Sequence, residues 1–195
     1  MTTALPRPQR NPARRAAILE AAAAVFARSG YAATSVEDVA AAAGITKLIV
    51  YRHFDTKEAL YRAVLEQVFE RQAHLYLAHA DGQAGGTTRA LLLAGRESPD
   101  GFRLLWRHAA REPQFADYAQ QFREIAIGAA RAIVARFLPA ASVEWAAQTL
   151  FDHAVDAVLN WLDHGDPARD DAFVAMEAAA LQATVRAWAT AESPT

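Results

Sequence analysis

Apolar residues recur at three- and four-residue spacings through long windows of the chain, and alanine, the best helix former, fills many positions between them. The pattern predicts an all-α fold. Ser29-Gly30, Ala43-Gly44 and Phe54-Asp55-Thr56 are turn-length interruptions, and Asp81 to Gly86 reads as a flexible loop. Ser98-Pro99, Glu112-Pro113, Leu138-Pro139 and Gly165-Asp166-Pro167 mark later helix ends. About nine helices follow, near 12–28, 35–42, 46–53, 57–80, 88–97, 101–111, 114–137, 142–164 and 168–190. They suggest a basic, flexible tail over 1–11, a small helical domain over 12–72 and a larger one over 73–195.

The first three helices carry the most local information. Ile18, Leu19, Ala22, Val25 and Phe26 form one stripe, and Gly30 supplies a left-handed cap behind it. Thr34-Ser35-Val36-Glu37 reads as a capping box opening a short second helix, with Val36, Val39, Ala40 and Ala43 inward. Gly44 turns the chain, and Thr46 is placed as the N-cap of the third helix. There Lys47 and Tyr51, and Leu48 and Arg52, stand four residues apart on an outward face, while Val50 and Phe54 point inward and His53 lies near the edge. Two short helices, a glycine turn and outward side chains of this kind suit a recognition helix from Ser35 to Phe54; an ordinary helical corner with a polar surface is the alternative.

Charge adds to that picture. Of 195 residues, those up to 62 hold nine basic and five acidic side chains, and the rest hold 11 and 17, so a basic head precedes an acidic body. A polyanion partner is expected for the head alone. Lys57 follows in the first turn of the fourth helix, where free N–H groups already favour an anion, with Asp55 or Thr56 as cap. Arg7 and Arg10, flanked by prolines, could extend as a minor-groove arm.

Composition narrows the chemistry. The absence of cysteine removes disulfides, thiolate metal sites and a thiol nucleophile. Neither a signal-like apolar stretch nor a run of membrane-spanning length occurs, so no membrane partner and a cytoplasmic location are expected. No GxxxxGK, GxSxG or HExxH pattern points to an enzyme, and neither cofactor nor metal is expected. Asp152-His153 with Asp156, and Asp163-His164 with Asp166, read as charged helix faces; a metal held by His153 and Asp156 is the sharper alternative.

The segment from Arg14 to about Leu65 resembles the TetR family of bacterial transcriptional repressors. The resemblance rests on Ile18-Leu19-Glu20-Ala21-Ala22, Phe26, Gly30-Tyr31, Thr34 to Ala40, Ala43 to Lys47, Tyr51-Arg52-His53-Phe54 and Lys57 to Tyr61. It implies a homodimer that binds a palindromic double-stranded operator and leaves it when a small-molecule effector fills the C-terminal domain. Carried over by position, Ser35 with Thr34 beside it would meet phosphate. Lys47 and Leu48 would face base edges, flanked by Thr46 and Arg52. Tyr51 and His53 would clamp the backbone, and Lys57 would hold phosphate. Leu48 and Ile49 depart from the glycine and hydroxyl residue common there, offering apolar contact to a thymine methyl instead. A ligand-binding helical dimer without a DNA target, and an activator of the same fold, are the alternatives.

In the body, Phe151, Val155, Val158, Leu159 and Leu162 form one broad apolar stripe, and Phe173, Met176, Leu181, Thr184, Val185 and Trp188 another. Two such stripes at the end of the chain suit an intermolecular four-helix bundle, where the resemblance also puts the dimer interface. Phe102, Trp106, Phe115, Tyr118, Phe122 and Trp145 have core spacing singly. As a group, with Thr149, they are candidates for the pocket that the resemblance implies among helices five to eight. Tilting of the long fourth helix would then change the separation of two DNA-binding heads.

Overall fold

The computed structural model describes residues 12–80, 83 and 85–192, and these form helices, turns and loops without a strand among them. The chain divides into two compact units, Met1–Val64 and Leu65–Thr195, so the division falls within the fourth helix and eight residues before the expected boundary at 72. The arm suggested for Arg7 and Arg10 lies outside the described residues.

The N-terminal unit contains α1 (Pro12–Ala33), α2 (Val36–Ala42), α3 (Lys47–His53) and the first turns of α4 (Lys57–His79). The stripe read on the first helix is buried throughout, from Ile18 to Phe26, and meets Val36 and Val39 of α2, Val50 of α3 and Leu60 and Tyr61 of α4 in one core. Each such large side chain contributes about 1.5–3 kcal/mol when fully buried. Gly30 differs from expectation. At φ 72° and ψ 175° it is extended rather than left-handed helical, a conformation that only glycine adopts readily, and helical turns resume as far as Ala33. The break lets Tyr31 fold back, its ring 6.5 Å from that of Phe26 and 5.0 Å from that of Tyr61.

The C-terminal unit holds the rest of α4, then α5 (Gly86–Glu97), α6 (Pro99–Arg103), α7 (Ala116–Val134), α8 (Ala140–His164) and α9 (Asp170–Ala191). The regular helix expected over 101–111 is a composite: α6 runs into a π turn at Leu104–His108 and a 3-10 turn at Ala109–Arg111. The wide turn falls where three consecutive side chains, Leu104, Leu105 and Trp106, are all buried. α7 and α8 run antiparallel, tied by Arg123–Asp152 and Arg131–Glu144. α5 lies hard against α8, since a Cβ on Gly95 would stand 2.6 Å from Leu162 Cδ1. No described helix is long and apolar enough to cross a membrane.

The start of α9 is pinned by a three-way polar contact. Arg96 Nε and Nη2 donate to Asp170 at 2.9 and 2.8 Å, and Trp161 Nε1 donates to the same carboxylate at 2.7 Å. The Arg96 hydrogen bond holds the Asp170 carboxyl below its ordinary value; burial opposes the shift and the Trp161 N–H adds to it. A carboxyl with a lowered folded-state pKa stabilises fully above its ordinary value, and that contribution is lost as pH falls through the folded-state value. Asp170→Asn is therefore expected to cost about 1–3 kcal/mol at neutral pH, and to lower stability less below about pH 4. Urea unfolding across that range measures both.

Candidate nucleic-acid interface and cavity

The candidate surface begins at two overlapping hydroxyl–carboxylate pairs, Thr34/Glu37 and Ser35/Asp38, of which the chain uses the second as a capping box. Ser35 Oγ accepts from the Asp38 N–H at 3.1 Å, and Asp38 Oδ2 accepts from the Ser35 N–H at 2.8 Å. Hydrogen bonds from the Ser35 hydroxyl and N–H hold the Asp38 carboxyl below its ordinary value. The expected Thr34–Glu37 box is thus shifted by one residue, because Thr34 Oγ1 donates to the Gly30 carbonyl at 2.8 Å. Thr34 is 3% exposed, so the hydroxyl offered to solvent at the start of α2 belongs to Ser35 and not to both.

The turn into α3 is a Schellman closure. The Ile45 N–H donates to Ala40 O at 2.9 Å and the Gly44 N–H to Ala41 O at 3.1 Å. Gly44 has φ +63° with open space beside it, so the backbone angle requires glycine and crowding does not. Thr46 takes the N-cap position, yet its hydroxyl makes no cap hydrogen bond. Along α3, Val50 is 1% exposed, while Leu48 is 63% and Tyr51 39% exposed, with Lys47 and Arg52 also in solvent. His53 is half-buried, its ring 6.4 Å from that of Phe54. The outward row read in the sequence is therefore present.

Both lysines of this unit are engaged. Lys47 pairs with Glu37 across the turn and lies 5.5 Å from the centre of the Tyr51 ring. The pairing lowers the Glu37 carboxyl and raises the Lys47 ammonium from their ordinary values. Glu37 puts a negative charge beside the residue expected to meet DNA, so Glu37→Gln should raise duplex affinity about two- to fivefold in low-salt gel shifts. Lys57 Nζ donates to the carbonyls of Tyr31 at 2.8 Å and Thr34 at 3.0 Å, and stands 4.3 Å over the Tyr31 ring. The Thr56 hydroxyl caps α4 by accepting the Ala59 N–H at 2.9 Å. Lys57→Met is expected to cost the N-terminal unit about 1–3 kcal/mol in urea unfolding, beyond any loss of phosphate affinity.

In the C-terminal unit, four of the seven residues expected around a pocket are buried in the core. Phe102, Phe115 and Phe122 are fully buried and Trp106 nearly so, with the Trp106 ring 5.6 Å from Phe122 and 5.7 Å from Phe151. Tyr118 is half-buried, whereas Trp145 and Thr149 are exposed. None of the seven lines a cavity found in this unit. That cavity, of about 400 Å³, is walled by Ala130, Ile133, Val134 and Phe137 from α7 and its end, Leu150, Phe151 and Ala154 from α8, and Ala178, Leu181 and Val185 from α9. Thr87 and Thr88 of α5, Gln182, Arg136 and Arg186 supply polar groups.

The stripes expected at a dimer interface divide in a similar way. Phe151, Val155, Val158, Leu159 and Phe173 are buried within the protomer; Leu162, Leu181, Thr184 and Trp188 are half-buried; Met176 is 53% exposed. Sequence reasoning missed Ala172, Ala175, Ala183 and Ala187, which share with Met176 and Ala179 an exposed uncharged face of α9 at helical spacing. On α8, His153 Nε2 lies 2.8 Å from Glu177 Oε2, and Asp152 pairs with Arg123.

Comparison with known proteins adds four findings. The model of a family described as bacterial regulatory proteins, tetR family, matches residues 18–64. A transcriptional repressor of Mycobacterium tuberculosis of the helix-turn-helix type is 42% identical over 81 residues, which span 42% of each chain. The activator FasR of Mycolicibacterium smegmatis is 29% identical over 190 residues, covering 87% of this chain and 80% of its own. Among solved structures, a TetR-like regulator from a Rhodococcus species superposes with a TM-score of 0.77 at 19% identity, over 93% of this chain and 98% of that one, a likeness of fold.

Proposed function

We propose that the chain is a DNA-binding transcriptional repressor of the TetR family, a reading supported by the family model that matches residues 18–64 and by the repressor that is 42% identical over 81 residues. It acts as a homodimer in the cytoplasm on a palindromic operator and is released by a small-molecule effector bound in the C-terminal unit. The observation that carries this reading is the exposed row of Lys47, Leu48, Tyr51 and Arg52, on a seven-residue helix set by a glycine turn. Lys47 and Leu48 read base edges, Tyr51, Arg52 and His53 contact the backbone, and Ser35 meets phosphate at the start of α2. Two copies must present α3 to successive major grooves about 34 Å apart. The uncharged outer face of α9, with Met176 at its centre, supports pairing of two chains there.

Selection of bound fragments from genomic DNA with the purified full chain tests this. Recovery of a two-fold symmetric sequence, bound by a dimer in sedimentation, is the expected result. Failure to retain any duplex would leave a helical ligand-binding dimer in its place. A promoter fused to the recovered site separates repression from activation: transcription should fall when the protein is supplied, and a rise would overturn the repressor assignment.

A further inference from the structure

The cavity of the C-terminal unit has a direction. α8 and α9 run antiparallel, in contact at His153–Glu177, Trp145–Trp188 and Ser142–Glu192. Ala154 and Ala178 therefore mark one end of the cavity, and Arg186 lies eight residues of helix, about 12 Å, towards the other. Arg136 shares the Arg186 end, because it follows α7 just after Arg131, which pairs with Glu144 in the first part of α8. Gly85, the N-cap of α5, belongs to the first end: a Cβ there would stand 2.9 Å from the Ala178 Cβ. Thr88, one turn further along α5, lines the cavity from that side.

The two ends differ in chemistry. Residues 65–195 are acidic overall, and most of their arginines have a carboxylate neighbour: Arg71, Arg89, Arg96, Arg103, Arg107, Arg123 and Arg131 each form an ion pair. Arg111, Arg136, Arg169 and Arg186 form none among the described residues, and of these Arg136 and Arg186 line the apolar cavity. A guanidinium left unpaired in an acidic body is a site for a carboxylate, which it binds through two parallel N–H groups. At the other end Thr88 is 0% exposed, and its Oγ1 has no hydrogen-bond partner. A buried hydroxyl in that condition costs free energy until something supplies a partner.

We propose that this cavity binds an elongated apolar acid: a carboxylate held by Arg136 and Arg186, an apolar body along Val134, Leu150 and Val185, and a hydroxyl or carbonyl at the far end meeting Thr88. The inference deepens the effector reading above and rests on it for the consequence at DNA. The ligand class itself is measured without DNA.

Decanoate, decanol and ω-hydroxydecanoate, titrated into the full chain by calorimetry below micelle-forming concentrations, separate the parts. Decanoate is expected to bind about tenfold or more tightly than decanol. The double variant Arg136→Gln, Arg186→Gln should bind the two alike, with its melting temperature near that of the wild type because both side chains are exposed. ω-Hydroxydecanoate should bind about three- to tenfold more tightly than decanoate. That advantage should vanish in Thr88→Val and persist in Thr88→Ser. Equal affinity for decanoate and decanol, a preference that survives the double variant, or no binding of any probe would overturn the carboxylate assignment. An ω-hydroxyl without benefit would overturn the role of Thr88. Tight binding of these acids with no release of bound operator would leave the ligand class standing and sink the regulatory reading instead.

Discussion

Phe122→Ala is expected to remove about 3–5 kcal/mol from the stability of the C-terminal unit, the largest single loss anticipated in the chain. The Phe122 side chain is fully buried. Its ring meets Tyr76 edge-on at 5.4 Å, Trp106 edge-on at 5.6 Å and Phe151 at 6.5 Å. Such pairs add about 0.5–1.5 kcal/mol beyond the area buried, and truncation leaves a void that the three neighbouring rings cannot close without leaving their rotamers. The same change discriminates between two roles for the aromatic group. If Phe122 is core, urea unfolding shifts by the full amount, while decanoate affinity moves little because Phe122 does not line the cavity. A loss below about 1 kcal/mol would mean that the ring borders open space, as the sequence pattern alone allowed.

That ambiguity has a physical origin. Helical periodicity states which face of a helix is apolar, and on α1 this sufficed: Ile18, Leu19, Ala22, Val25 and Phe26 are all buried. It does not state whether the volume in front of that face is filled. Large rings fill an interior, so Phe102, Trp106, Phe115 and Phe122 became core. The cavity opens instead where walls are built from small residues, at Ala130, Ala154 and Ala178. The same reasoning covers the last two helices. The bulky side chains of their stripes are buried or half-buried within the chain, Met176 excepted, and the face that stays exposed beside Met176 is the alanine one, which carries little hydropathy signal.

Local hydrogen bonding explains the remaining differences. Thr34 and Ser35 each precede a carboxylate by three residues, so both positions read as caps, and only the carbonyl freed at Gly30 decides that Thr34 faces inward. Lys57 sits in a helical first turn, as an anion-binding lysine should. The carbonyls of Tyr31 and Thr34, brought to it by the folded-back end of α1, are invisible to spacing along the chain. The composite helix after Pro99 is similar: three adjacent buried side chains demand a wider turn than a regular helix provides.

Lys47→Ala is expected to lower affinity for the selected operator about ten- to hundredfold, and affinity for random duplex much less. The prediction follows from position: Lys47 and Leu48 open α3, both are exposed, and the opening residues of such a helix meet base edges. Titrations at several salt concentrations separate base reading from phosphate contact. A base contact leaves the dependence of affinity on salt almost unchanged, whereas a lost phosphate contact lowers its slope by roughly one unit. Equal losses on operator and random DNA would assign Lys47 to the backbone. Glu37 makes a further test available: if Lys47 reads a base, the carboxylate that now holds it has to release it first. In a double-mutant cycle the gain from Glu37→Gln should shrink once Lys47 is alanine. A gain of the same size in both backgrounds would mean that Glu37 repels phosphate on its own account and does not compete for Lys47.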